Sequence, residues 1–101
     1  MNIPIAIGHY KETLAVLRKV SSLGLTHIDV FILYSLAKPG IHTPSSLSEY
    51  LNITKPQISA QLQSLLNKKL IDIKRPRADK RVRIISLTTK GDNTLRKLWA
   101  L

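Results

Sequence analysis

Between Leu70 and Ile71 the spacing of apolar residues changes from helical to alternating, and this switch limits the folds open to the chain. Upstream, Thr54-Lys55-Pro56-Gln57 has the form of a capping box. The hydroxyl accepts from a first-turn amide, and the glutamine three residues on reaches back. Pro56 falls in the first turn, where a missing N–H is harmless. Ile58, Leu62, Leu65 and Leu66 then form one stripe at helical spacing. The other side carries Lys55, Gln57, Ser59, Gln61, Gln63 and Ser64, with no acid among them. Amides and hydroxyls are the groups that read base edges in a major groove. Downstream, Ile71 and Ile73, then Val82 and Ile84, alternate with Asp72, Lys74 and Arg83, the rhythm of strands. The turn between them is Pro76-Arg77-Ala78-Asp79-Lys80. From 74 to 83, Lys74, Arg75, Arg77, Lys80, Arg81 and Arg83 stand against one acid, Asp79. A hairpin with arginines at its tip suits phosphates and a narrow minor groove.

The rest of the chain supplies helices around this pair. Residues 1–8 read as an apolar arm, packed on its own domain or on a partner chain, ahead of a helix over 8–23. Tyr10, Leu14 and Leu17, with Val20 or Leu23, make its stripe, and Gly24 supplies a stop. Thr26-His27-Ile28-Asp29 is a second capping box, with its acid at the positive helix end. Behind it Val30, Phe31, Leu33, Tyr34 and Ala37 are expected to be largely buried, and Pro39-Gly40 closes the helix. Thr43-Pro44 opens a short helix with Leu47, Tyr50 and Leu51 facing in, and Asn52 is a candidate left-handed terminator. A short helix, a tight turn and a longer amphipathic helix make a helix-turn-helix. With the basic ribbon, the expected fold is mainly α with a small β-hairpin wing (α+β), a winged helix-turn-helix. Thr89 to Asp92 repeats the capping pattern and opens a last helix over 89–101. No linker or internal repeat interrupts the chain, so 1–101 reads as a single domain, with the helix-turn-helix over 26–70 and the wing over 71–87.

Composition narrows the chemistry. A chain of 101 residues has room for one modest core. Sixteen Lys and Arg against six acids leave a formal charge of +10, so a polyanion is the natural partner. Cysteine is absent, which removes disulfides, thiolate zinc sites and thiol redox sensing. No apolar run approaches the ~18 residues of a membrane span, and Met1 to Ile7 lacks the basic start of a signal peptide. A cytoplasmic location without membrane partners follows. His9, His27 and His42 share no metal-ligand spacing. Ser45, Ser46 and Ser48 lie in no nucleophile elbow, and the acids are scattered. No catalytic, cofactor or metal site is expected, and the chain reads as a non-enzyme.

The run Leu25-Thr26, then Leu47 and Leu51, Leu65 to Ile71, Asp79-Lys80-Arg81 and Leu87-Thr88-Thr89-Lys90-Gly91 resembles the MarR family of bacterial and archaeal transcription regulators. The match covers about residues 25 to 91. The resemblance implies a homodimer on a pseudo-palindromic operator, with Asp79 holding Arg81 by an ion pair while the wing arginine enters the minor groove. The family usually has glycine before the Leu-Ile that ends the recognition helix, and here Lys69 takes that place. Either the backbone there is left-handed, at roughly 1 kcal/mol, or the helix runs on and the wing enters at another angle. The family also builds its dimer and effector pocket from longer terminal helices than Tyr10 to Leu23 and Lys90 to Leu101, so an effector is only weakly implied.

The expected function is sequence-specific binding of double-stranded DNA by a transcriptional regulator. The recognition helix over 54–69 would present Lys55, Gln57, Ser59, Ala60, Gln61 and Ser64 to the major groove. Thr43, Ser45 and Ser46 would meet phosphate at a helix start. Over 74–83, Arg77 and Arg81, with Asp79 beside them, would enter the minor groove, and Lys74, Arg75, Lys80 and Arg83 would lie on the backbone. A dimer interface would draw on Ile3, Ile5, Ile7, Tyr10 and Leu14 at one end and on Leu95, Leu98, Trp99 and Leu101 at the other. Two alternatives stand: a winged-helix module for protein interaction, and a non-specific architectural binder of nucleic acid.

Overall fold

Three threonines set the starts of the three middle helices. Thr26 Oγ1 accepts from the Asp29 amide at 3.2 Å while the Asp29 carboxylate accepts from the Thr26 amide at 2.9 Å, opening α2 (His27–Leu36). Thr43 and Ser46 make the same exchange, at 3.1 and 2.9 Å, ahead of α3 (Pro44–Leu51). Thr54 caps α4 (Lys55–Asn67) by accepting from the Gln57 amide at 3.4 Å, and the Gln57 side chain makes no return bond. Before these comes α1 (Ile3–Ser22); after them come β1 (Ile71–Lys74), β2 (Ile84–Leu87) and α5 (Thr89–Trp99). The computed structural model describes residues 3–99, except the side chains of residues 3–11, 13 and 99. Helix α1 thus begins at Ile3, five residues before the expected start, so the arm of the sequence reading is helical from its third residue.

Three helices end by one device. In a Schellman turn the amide after the left-handed residue bonds back five positions, and the left-handed residue's own amide bonds back three. After α1, Leu25 donates to Val20 and Gly24 to Ser21; after α3, Ile53 donates to Ser48 and Asn52 to Glu49; after α4, Leu70 donates to Leu65 and Lys69 to Leu66. The left-handed positions are Gly24 (φ 74°), Asn52 (φ 54°) and Lys69 (φ 62°). The family's usual glycine position is therefore left-handed here as well, and lysine bears a strain of about 1 kcal/mol. Buried neighbours Leu65 and Leu70 and the bond from Thr88 Oγ1 to the Lys69 carbonyl (2.7 Å) hold the joint in place.

The hairpin pairs Ile71 with Leu87 and Ile73 with Ile85, so these four residues share the inward face. The expected phase of the second strand is off by one. Ile85 is the core residue at 2% exposed, Ile84 lies on the opposite face, and Val82 stands before the strand at 37% exposed. The longer loop shifts the register, and the Ile85 amide is then claimed by the His42 carbonyl at 2.8 Å. The cap of α5 also falls one residue earlier than expected: Thr88, not Thr89, accepts from the Gly91 amide at 3.0 Å. Gly91 packs so tightly on the α4–β1 joint that a Cβ would lie 2.0 Å from the Leu70 carbonyl oxygen.

The core gathers Val20 of α1, Ile32, Leu33 and Leu36 of α2, Leu47 of α3, Ile58, Leu62 and Leu65 of α4, Ile71 and Ile85 of the hairpin, and Leu95 and Leu98 of α5. Phe31, Tyr34 and Tyr50, expected inside, are 51%, 42% and 62% exposed. Helix α2 is apolar nearly all round, so its sequence does not mark which side faces in. The inward side is set by Ile32, Leu33 and Leu36.

Candidate nucleic-acid interface

The α4 stripe of Ile58, Leu62 and Leu65 is buried, which turns Pro56, Gln57, Ser59, Ala60, Gln63 and Asn67 to solvent. Lys55 and Gln57 are exposed at the helix start, and Ser64 is half-buried beside the stripe. Gln61 is a correction. It belongs at the edge of the core stripe, and its Nε2 donates to Thr26 Oγ1 and to Asp29 Oδ1, both at 3.0 Å. Its amide group is therefore turned toward α2 rather than outward. Gln63 takes its place on the exposed side, bonded to the Asn67 side chain at 3.0 Å. Helix phase alone carries that signal: five residues after Ile58, Gln63 falls opposite the buried stripe.

On the hairpin, Asp79 and Arg81 form the ion pair that the resemblance implies. Arg81 Nε lies 3.1 Å from Oδ1 and Nη2 3.3 Å from Oδ2, and the Arg81 amide also donates to Oδ1. The Arg81 side chain, followed by its amide, holds the Asp79 carboxyl below the ordinary carboxylate value. Arg81 remains 91% exposed, so it is oriented but not sequestered. Arg75 spans the loop to the Lys80 carbonyl at 3.2 Å. Among the described residues Lys74, Arg77, Lys80, Arg83 and Lys55 have no protein partner for their charge.

Helix α3 starts beside this hairpin. Thr43, Pro44 and Ser45 face Arg81, Val82 and Arg83 across a cleft of about 270 Å³. The hydroxyls of Thr43 and Ser46 are taken by the cap, and Ser46 also donates to the Thr43 carbonyl at 3.0 Å. Ser45 is exposed and uncommitted. A helix start between two arginines is a place of concentrated positive potential.

The expected dimer residues divide. Leu95 and Leu98 are 6% and 7% exposed within the single chain, sealed into its own core, and have little surface left to offer a partner. Leu14 is half-buried. The side chains of Ile3, Ile5, Ile7, Tyr10 and Trp99, and the whole of Leu101, lie outside the described residues. Among its described residues, α1 presents the large apolar side chains Val16 and Leu17, at 37% and 40% exposed. Val16, with Val30, Phe31, Tyr34 and Tyr50, lines an apolar groove of about 620 Å³. Lys38 closes one side of this region, its ammonium over the Tyr34 and Tyr50 rings at 5.1 and 4.8 Å and bonded to the Tyr50 hydroxyl, which raises its pKa. His42 Nε2 meets the Lys38 carbonyl at 2.8 Å, and His27 packs edge-on to Phe31.

A short capped helix, a turn, an acid-free helix and a basic hairpin define a protein of the winged helix-turn-helix class. The sequence model described as transcriptional regulator SarA/Rot matches residues 16–98. The chain belongs to that family, and is accordingly a regulator of transcription rather than an enzyme. No curated protein matches it by sequence. The fold is that of MarR-type regulators. A point mutant of S. aureus MepR, solved bound to an oligodeoxyribonucleotide, superposes with a TM-score of 0.84 at 24% identity, over 95% of this chain and 71% of that one. Wild-type apo MarR from E. coli gives 0.79 at 20% identity, over 100% and 76%. YusO from Bacillus subtilis gives 0.79 at 23%, over 99% and 77%. Among the described residues no helix is long and apolar enough to cross a membrane.

Proposed function

We propose that the chain reads an operator as a two-fold dimer, with α4 in the major groove and the hairpin loop in the minor groove. The observation that carries this reading is that five cations at the start of α4 and in the hairpin, Lys55, Lys74, Arg77, Lys80 and Arg83, have no protein partner for their charge among the described residues and accompany an acid-free helix face. Gln57, Ser59, Ala60 and Gln63 would meet base edges, and Ser64 would sit at the margin of that face. Arg77 and the Asp79-oriented Arg81 would enter the minor groove, because a narrow groove concentrates negative potential where guanidinium fits. Arg83 and Ser45, the latter through its hydroxyl and its backbone amide, would share one phosphate. The exposed Val16 and Leu17 support a second copy lying against α1. The MepR complex supports the DNA partner by its likeness in fold. Residues 1–101 then act as one unit in the cytoplasm.

The test is selection from a randomised duplex pool at near-physiological salt. The expected product is an inverted repeat with half-site centres about 10 bp apart, one helical turn. Enrichment of a single half-site would remove the symmetric dimer and keep the groove assignment. No enrichment, with affinity that only falls as salt rises, would reduce the protein to a backbone binder.

A further inference from the structure

Helix α4 is held by more than its apolar stripe. Gln61 Nε2 donates at 3.0 Å to both Thr26 Oγ1 and Asp29 Oδ1, and Lys68 Nζ donates at 2.7 Å to the Gly24 carbonyl. All three acceptors lie in the 24–29 segment, the joint where α1 ends and α2 begins. Gln61 and Lys68 are two helical turns apart, about 10 Å along the axis. Apolar burial is non-directional and tolerates a helix that rolls on its bed. Hydrogen bonds are directional and do not. Two such ties at separated points on one rod fix its roll and its yaw together.

We infer that Gln61 and Lys68 are positioning residues that set the angle at which α4 meets DNA, using the α1–α2 joint as their reference. The inference rests on the assignment of α4 as the reading helix. A helix with its side chains has a radius of about 5–6 Å, so a roll of about 10° moves a side-chain tip by about 1 Å. Base-edge hydrogen bonds work within a window of about half an ångström. Loss of the ties therefore costs discrimination between sequences before it costs affinity for phosphate. Asp29 is what makes the tie firm. It is 1% exposed, and a buried carboxylate needs donors on both oxygens; Thr26 N–H serves one and Gln61 the other.

The experiment compares wild type with Gln61→Glu, Gln61→Met, Lys68→Met and the double variant Asp29→Asn/Gln61→Glu. Each is titrated with the duplex selected above and with a scrambled duplex of equal length, and each is unfolded in urea. Gln61→Glu sets two carboxylates against each other. In the double variant the amide introduced at position 29 donates to the carboxylate introduced at position 61, which restores the tie with its direction reversed. The expected result is a ratio of selected to scrambled affinity about tenfold lower in Gln61→Glu, the scale of one lost base-pair contact. Gln61→Met and Lys68→Met lower it in the same sense, and the double variant returns to within about threefold of wild type. A purely structural role would lower the urea midpoint and leave the ratio of the folded protein unchanged, which would overturn the inference. So would a double variant no better than Gln61→Glu, since an acid near DNA would then explain the loss. If Gln61→Glu does not fold, the two methionine variants decide by the same ratio. A wild type with no preference between the duplexes would instead overturn the reading-helix assignment, and this inference with it.

Discussion

Helices α2 and α3 begin with the same box, a threonine exchanging hydrogen bonds with the residue three positions on, yet the two boxes end in opposite surroundings. The α2 box is roofed by α4. Its Asp29 is buried, and its spare oxygen is used by Gln61. The α3 box is open to solvent and faces Arg81 and Arg83 across a cleft. Nothing in either tetrapeptide foretells this, because a capping box solves a local problem: the unpaired amides of a first turn. What packs over the box decides whether its polar groups become part of the scaffold or remain available for a ligand.

The comparison breaks most visibly at Asp29. Asp29→Ala removes the acceptor of the Thr26 amide and one of the two acceptors of Gln61 Nε2, so equilibrium urea unfolding is expected to show a loss of about 2–4 kcal/mol. Thr43→Ala, on the exposed box, should lose only about 1 kcal/mol in the same assay; equal losses would mean that the roof of α4 adds nothing. Ser45→Asp sharpens the contrast, because its two effects have opposite signs. A carboxylate in the first turn of α3 should raise stability by a few tenths of a kcal/mol, while filling the arginine cleft and weakening duplex binding in a fluorescence titration. The smallest effect concerns Asp79. Its folded pKa is lowered, so its contribution is fully present above the ordinary carboxylate value and is lost as pH falls through the lower, folded one. A carbon-detected titration should show the Asp79 carboxyl protonating at lower pH than a free aspartate, and Arg81→Gln should shrink the difference to the part that the backbone amide at position 81 supplies.

Local signals are legible wherever the physics is local. Thr26, Thr43 and Thr54 cap where expected, Asn52 is left-handed, and the change of period at Leu70 and Ile71 is the junction of helix and strand. The ion pair of Asp79 and Arg81 also stands. Helix boundaries slip by a few residues, at Ile3 and at Thr88, and the remaining misses need tertiary information. Ile84 reads as the core residue in place of Ile85 because strand phase depends on where the hairpin loop ends and on the bond from Ile85 to His42. Phe31, Tyr34 and Tyr50 read as core because apolar character says nothing of whether another element covers them. Gln61 looks like a groove residue because a glutamine at the margin of a stripe can turn either way, and its acceptor lies thirty-two residues away. No window along α4 contains Asp29.

The hairpin has a further consequence for how the protein behaves in solution. It is a two-stranded sheet of four-residue strands, with β2 partly screened by the single bridge to His42, so β1 offers its outer edge to any extended chain nearby. Short length and clustered positive charge are the usual guards of such an edge. In this molecule the charge that guards the edge is the charge proposed above to engage DNA. At 1 M salt the Debye length shrinks to about 3 Å, so one change of solvent both releases the duplex and lowers the guard. Concentrated, DNA-free protein in strong salt is thus the state in which self-association through the sheet edge has least opposing it.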